Sequence, residues 1–116
     1  MKLWVCVVLA GLWATPAAAM PSSVATSAGS FFAAATRCET EDFISPGQTS
    51  ALRTALGRYV SVADRRNIEA GYARGMKDSS VYVVELQRWA PFTPDNASCY
   101  RVQGVLDEYK TQLGVE

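Results

Sequence analysis

Once the first 19 residues are set aside, the chain keeps two cysteines, Cys38 and Cys99, and a bond between them would close most of what remains into one ring. The leading residues say why that bond is expected. Lys2 gives a short positive start, an uncharged apolar run follows over residues 3–14, and Pro16 with Ala17-Ala18-Ala19 completes the order that a signal peptidase reads. As a helix the run would be about 18 Å long, well short of the ~30 Å hydrocarbon core of a bilayer. Residues 1–19 therefore read as a cleavable signal peptide, with cleavage after Ala19 and no stable membrane anchor afterwards. Cys6 lies inside the apolar run rather than after it, which argues against a lipid-modified cysteine. An exported chain, periplasmic or secreted, meets an oxidising compartment in which two cysteines pair. Closing a ring of about 60 residues removes unfolded-chain entropy worth ~4 kcal/mol, a large share of the stability of a small domain.

Residues 20–116 suit one small exported domain. The whole sequence has eleven basic and eleven acidic residues, so loss of Lys2 leaves a slight acidic excess. That balance argues against a nucleic-acid partner and against an electrostatic membrane binder. Histidine is absent, which removes the Ser-His-Asp and Cys-His nucleophiles and the histidine-bearing zinc sites. Two paired cysteines leave none for a four-cysteine zinc site or a C-x-x-C redox pair. No phosphate loop is present, since Gly71 and Gly75 lie in a helical pattern without the Lys-Ser/Thr that such a loop needs. The acidic cluster Glu39, Glu41 and Asp42 lacks calcium-loop spacing and reads as a solvated connector. No metal and no cofactor is expected.

Hydrophobic spacing points to an all-α fold, a bundle of four to five short helices with one disulfide. Residues 20–36 carry no charge and are rich in Ala and Ser; they read as a leader to about Ser22 and a helix afterwards, bringing Phe31 and Phe32 to the core. Residues 37–43 read as a charged connector around Cys38, followed by a Ser45-Pro46-Gly47 turn. A helix over residues 48–60 has the stripe Leu52, Ala55, Leu56, Tyr59 and Val60. The next, capped by Asp64, has Ile68, Tyr72 and Met76 at steps of four. Residues 81–90 combine strand-favouring types with the helical stripe Tyr82, Val83, Leu86, Trp89 and Ala90. They read as a helix, with an α+β fold carrying a strand at 80–90 as the alternative. Thr93 and Pro94 suit the start of a last helix with the stripe Cys99, Val102, Leu106, Tyr109 and Leu113, ended by Gly114.

Several residues are candidates for contact with a partner. Phe92 sits between two prolines in an aromatic-rich turn, and aromatic residues are enriched at interface hot spots. Arg65, Arg66 and Arg74 offer a basic face on the third helix. Asn67, Gly71 and Gly75 recur every fourth residue and make a groove of small residues. Packing within the chain is its first expected use, and a homodimer seam along Gly71 and Gly75 is the alternative. Glu69, Glu85, Asp107 and Glu108 are the carboxylates from which a glycoside-cleaving pair would be drawn.

Two resemblances bear on function. Cys38-Glu39-Thr40-Glu41-Asp42-Phe43 resembles, with two residues interposed, the Cys-Glu-Asp-Phe segment of the acid-stress periplasmic chaperones, small helical proteins with one disulfide. Ser98-Cys99-Tyr100 leading an amphipathic last helix is similar in layout to periplasmic immunity proteins that block toxic cell-wall amidases. Neither resemblance assigns a family. Taken with the missing catalytic chemistry, the expectation is a non-enzymatic exported module that binds a protein, in the inhibitor or immunity sense. The alternatives are an acid-stress chaperone, which needs carboxylates to protonate, and a small hydrolase with a carboxylate pair.

Overall fold

Four helices and one β-hairpin make up the described part of the chain, residues 20–115 of a computed structural model; the expected signal peptide lies outside the described residues. The sequence stretch without charges forms the central helix α1 (Ser22–Thr40). Its Ala, Gly and Ser residues carry little bulk, so neighbours approach it on several sides, and much of it is buried. It begins at Pro21, whose carbonyl accepts from Val24 and Ala25. It runs past the expected boundary, so Arg37 and Cys38 lie in the helix and the connector starts at Glu41. The helix stops because Asp42 turns left-handed (φ 65°), with Phe43 N–H donating to the Cys38 carbonyl and Asp42 N–H to that of Glu39. This is a Schellman ending with aspartate in the position usually given to glycine.

Helix α2 (Gln48–Gly57) follows Gly47, which adopts φ 92°. Its cap comes from another helix. Glu39 of α1 accepts from the backbone N–H groups of Gly47 and Thr49 at 2.8 Å each, placing a carboxylate at the positive end of α2. One member of the expected acidic cluster is thus a structural cap, while Glu41 and Asp42 are exposed. The helix is shorter than expected and leaves Tyr59 outside it and exposed.

Helix α3 (Val62–Asp78) is capped by Ser61, whose hydroxyl accepts from Asp64 N–H at 3.1 Å. Asp64, expected as the cap, sits inside the first turn. This helix crosses α1 with almost no side chain between the backbones. A Cβ added at Gly29 would stand 1.9 Å from the Ile68 carbonyl oxygen, and one at Gly71 would stand 2.3 Å from that of Thr26. At Gly75 it would meet Ala33 Cβ at 2.7 Å. The small-residue groove is therefore filled by α1 of the same chain, and Gly71 and Gly75, the residues of the alternative homodimer seam, are buried there.

The helix expected over residues 81–90 is a hairpin. Strand β1 (Ser80–Val83) pairs antiparallel with β2 (Arg88–Pro91) across a short 3₁₀ turn, Val84–Leu86, and a left-handed Gln87 (φ 51°). The residues that suggested a helical stripe meet across the ladder instead. Tyr82 and Trp89 are register partners with ring centroids 5.6 Å apart, edge to face. Leu86, the middle of that stripe, is exposed at the turn. The outer edge of β1 is closed by α1: Tyr82 N–H donates to Ser30 Oγ, and Ser27 Oγ–H donates to the Tyr82 carbonyl, both at 2.9 Å. Two serines thus do for β1 what a third strand would do.

The last helix, α4 (Asn96–Leu113), starts two residues later than Thr93 and Pro94 suggested. Asp95 is its cap, in a reciprocal box with Ser98, and Gly114 (φ 69°) ends it. Its stripe Cys99, Val102, Leu106, Tyr109 and Leu113 is buried as expected. Cys38 and Cys99 are bonded, with Cα atoms 5.8 Å apart, which pins the start of α4 to the end of α1. Phe32, Leu52, Leu56, Ile68, Leu106 and Tyr109 complete the core around that bond.

Candidate binding groove

Where α1 is bounded by the hairpin on one side and α4 on the other, an open groove of about 510 Å³ remains. Phe31 and Ala34 of α1 form its floor, residues 81–85 one wall, and Val102 and Val105 of α4 the other. Phe92 and Pro91 close one end. Charges stand among the lining residues as Glu85, Asp95 and Arg101.

The local sequence explains why apolar groups remain half-open here. Adjacent residues on a helix point about 100° apart, so Phe31 and Phe32 cannot share one direction. Phe32 is buried among Leu52, Leu106 and Tyr109, and Phe31 is left half-buried over the groove. The Phe31 ring still packs against Phe32 and Tyr109, at centroid distances of 5.8 and 5.7 Å. Phe92 is held through its backbone. Its N–H donates to the Ser79 carbonyl at 2.8 Å, and its carbonyl accepts from Ser79 Oγ at 2.7 Å. The side chain is thereby fixed at the end of the groove without being sealed into the core. Asp95 is anchored by the α4 cap. Hydrogen bonds from Ser98, first its backbone N–H and then its hydroxyl, hold the Asp95 carboxyl below its ordinary value, so it is an anion at neutral pH.

The expected partner-binding residues separate. Phe92 lines the groove; Arg65, Arg66 and Arg74 do not. Arg65 donates to the Gly57 carbonyl at 2.8 Å and borders a second crevice of about 380 Å³ between α2 and α3. Arg74 lies over the Trp89 ring, 4.4 Å from its centroid, and 3.5 Å from Asp78. Arg66 is exposed. The four carboxylates considered for a hydrolytic pair are also dispersed. Glu69 is bound to Arg53 at 2.7 Å beside the second crevice, Glu85 stands on the groove, and Asp107 takes part in an ion pair with Lys110 on α4. Glu108, next to Asp107 on α4, lines neither cavity. Glu85 and Asp95 do line one cavity; a retaining or inverting pair joins one protonated carboxyl to one ionised one, and Asp95, held below its ordinary value, suits only the ionised half. Among the described residues no group of three or more His, Cys, Asp or Glu side chains is placed to hold a metal.

Sequence reasoning missed Phe31, Val84, Val105 and Arg101 as groove residues. The adjacent Phe31 and Phe32 were the available signal, since one of two neighbouring aromatic residues must leave the core-facing direction. No family model matches the chain, and no curated protein or solved structure matches it either.

Proposed function

We propose that the protein is exported and that its folded domain is a non-enzymatic binding module, acting in the inhibitor or immunity sense by taking apolar side chains of a protein partner into the groove. The observation that carries this reading is the groove itself, a concave, mainly apolar surface bearing a fixed, half-open Phe92 and Phe31 and bordered by both signs of charge. Partly desolvated aromatic anchors within a polar border are what protein interfaces concentrate. Its walls belong to elements tied down on two sides, by the disulfide at the start of α4 and by the serine contacts of β1, so little ordering would be lost on binding. Export is supported by the paired cysteines together with the A-x-A leader. Among the described residues no helix is long and apolar enough to cross a membrane.

The test is capture from the host's extracytoplasmic extract with oxidised residues 20–116, run in parallel with Phe92→Ala, Val105→Arg and, as the surface control, Arg66→Ala. One stoichiometric partner at neutral pH is expected, with affinity reduced about tenfold or more by Phe92→Ala and unchanged in Arg66→Ala. Circular dichroism melts check that each variant is folded. A partner held equally by both groove variants would move the interface elsewhere. Capture of many unrelated proteins only near pH 3 would replace this reading with an acid-stress chaperone.

A further inference from the structure

The first described residue ends against a buried carboxylate. Asp64 lies in the first turn of α3 with 2% of its surface exposed, and its Oδ2 accepts a hydrogen bond from the Met20 backbone nitrogen at 3.1 Å. Among the described residues, neither Lys nor Arg forms an ion pair with it. The neighbouring Arg65 turns its guanidinium to the Gly57 carbonyl. The positive end of α3 offsets part of the Asp64 charge. A neutral amide adds a hydrogen bond and no counter-charge, and a buried ion without a counter-ion is costly. The sequence holds the means to supply one, because the nitrogen that Asp64 faces is the one that follows Ala17-Ala18-Ala19.

We propose that Met20 is the mature amino terminus and that its α-ammonium group is the counter-ion of Asp64, so that removal of the leader creates an ion pair joining the entry of α1 to the first turn of α3. The reaction is hydrolysis of the Ala19–Met20 peptide bond by a signal peptidase. Water adds to the Ala19 carbonyl carbon and the C–N bond breaks. Ala19 leaves as a carboxylate, and the Met20 nitrogen takes the two water protons to become –NH₃⁺. Before cleavage that nitrogen is an uncharged amide with one proton to donate. Afterwards it carries a full positive charge at hydrogen-bond distance from a carboxylate shielded from water, where charge-assisted bonds are strongest. The arrangement fits cleavage at that bond, since a terminus one residue earlier or later would remove the ammonium from Asp64.

This inference rests on the export reading, and the experiment separates the two. Residues 20–116 are assembled by ligation at Cys38 with the Met20 amine either free or acetylated, each with Asp64 or with Asp64→Asn, and all four are oxidised and melted. Acetylation keeps an N–H and removes only the charge. It is expected to lower the Tm by about 5 °C or more, Asp64→Asn to lower it similarly, and the two together to do no more than one alone. If acetylation leaves the Tm of the Asp64 protein unchanged, the pairing is overturned and Asp64 serves the α3 terminus alone. The mass of the protein recovered from its host supplies the second reading. A chain beginning at Met20 supports the proposal; a cleaved chain beginning elsewhere overturns it and leaves export standing; an uncleaved chain overturns both.

Discussion

Helix α1 is held on two faces by opposite means. Toward α3 it offers Gly29 and Ala33 to Gly71 and Gly75, and the backbones come so close that the Gly29 and Gly71 positions lack room for a methyl group. Toward α4 it offers Phe31, Phe32 and Cys38, and contact is made by rings and a disulfide. The first face is fixed by what is missing and is sensitive to any addition. The second is made of large groups at adjustable distances, and it is where the groove remains. Rigid close contact on one side frees the other to carry half-open apolar surface without loss of shape.

That contrast is open to direct attack. Removing the covalent part of the second face, by reduction or by Cys38→Ala with Cys99→Ala, is expected to cost about 4 kcal/mol of unfolding free energy, measured by urea denaturation of oxidised and reduced protein. An unchanged midpoint would make the rings sufficient without the bond. A single methyl group on the first face is expected to cost about 3 kcal/mol, as Gly29→Ala or Gly71→Ala. The internal control is Gly104→Ala on α4, where an added Cβ meets nothing within 4 Å and helix propensity predicts a gain of about 0.5–1 kcal/mol. Equal effects at Gly29 and Gly104 would end the distinction between the faces.

The smallest effect concerns Tyr109, which packs against Phe31 and Phe32 with its hydroxyl buried and, among the described residues, without a hydrogen-bond partner. Burial, helped by the nearby Glu108 charge, pushes its phenol well above the ordinary value of 10.0. The folded protein therefore keeps this proton while the unfolded chain releases it, so stability is unaffected below about pH 10 and falls as pH rises beyond it. Tyr109→Phe is expected to change neutral-pH stability by less than about 1 kcal/mol and to flatten the alkaline decline. A large loss at neutral pH would reveal a partner for the hydroxyl.

The helical bundle was legible wherever one element carried its own signal. The last helix shows its stripe, Cys99 through Leu113, and its Gly114 stop in a continuous run, and both are present. The hairpin was hidden because the Tyr82 and Trp89 spacing satisfies a helical period as well as a cross-strand pair. What resolves the ambiguity lies some fifty residues away, in Ser27 and Ser30. The cap of α2 by Glu39 and the burial of Asp64 are long-range in the same way. The groove was unreadable for that reason, being assembled from α1, the hairpin, the Phe92 turn and α4, each of which looks ordinary alone. Phe92, which lines the groove, stood out because its Pro-bracketed setting is local; Arg65, Arg66 and Arg74 were grouped by sequence proximity that the helix and its neighbours then pull apart.

The ring closed by Cys38 and Cys99 spans α2, α3 and the hairpin. Residues 85–88, at the hairpin tip, are an exposed stretch within it that a protease can reach. A cut there would open the ring without dividing the molecule, because both new fragments stay joined through sulfur. Such a chain is nicked rather than lost, and only a second event, reduction, releases its halves.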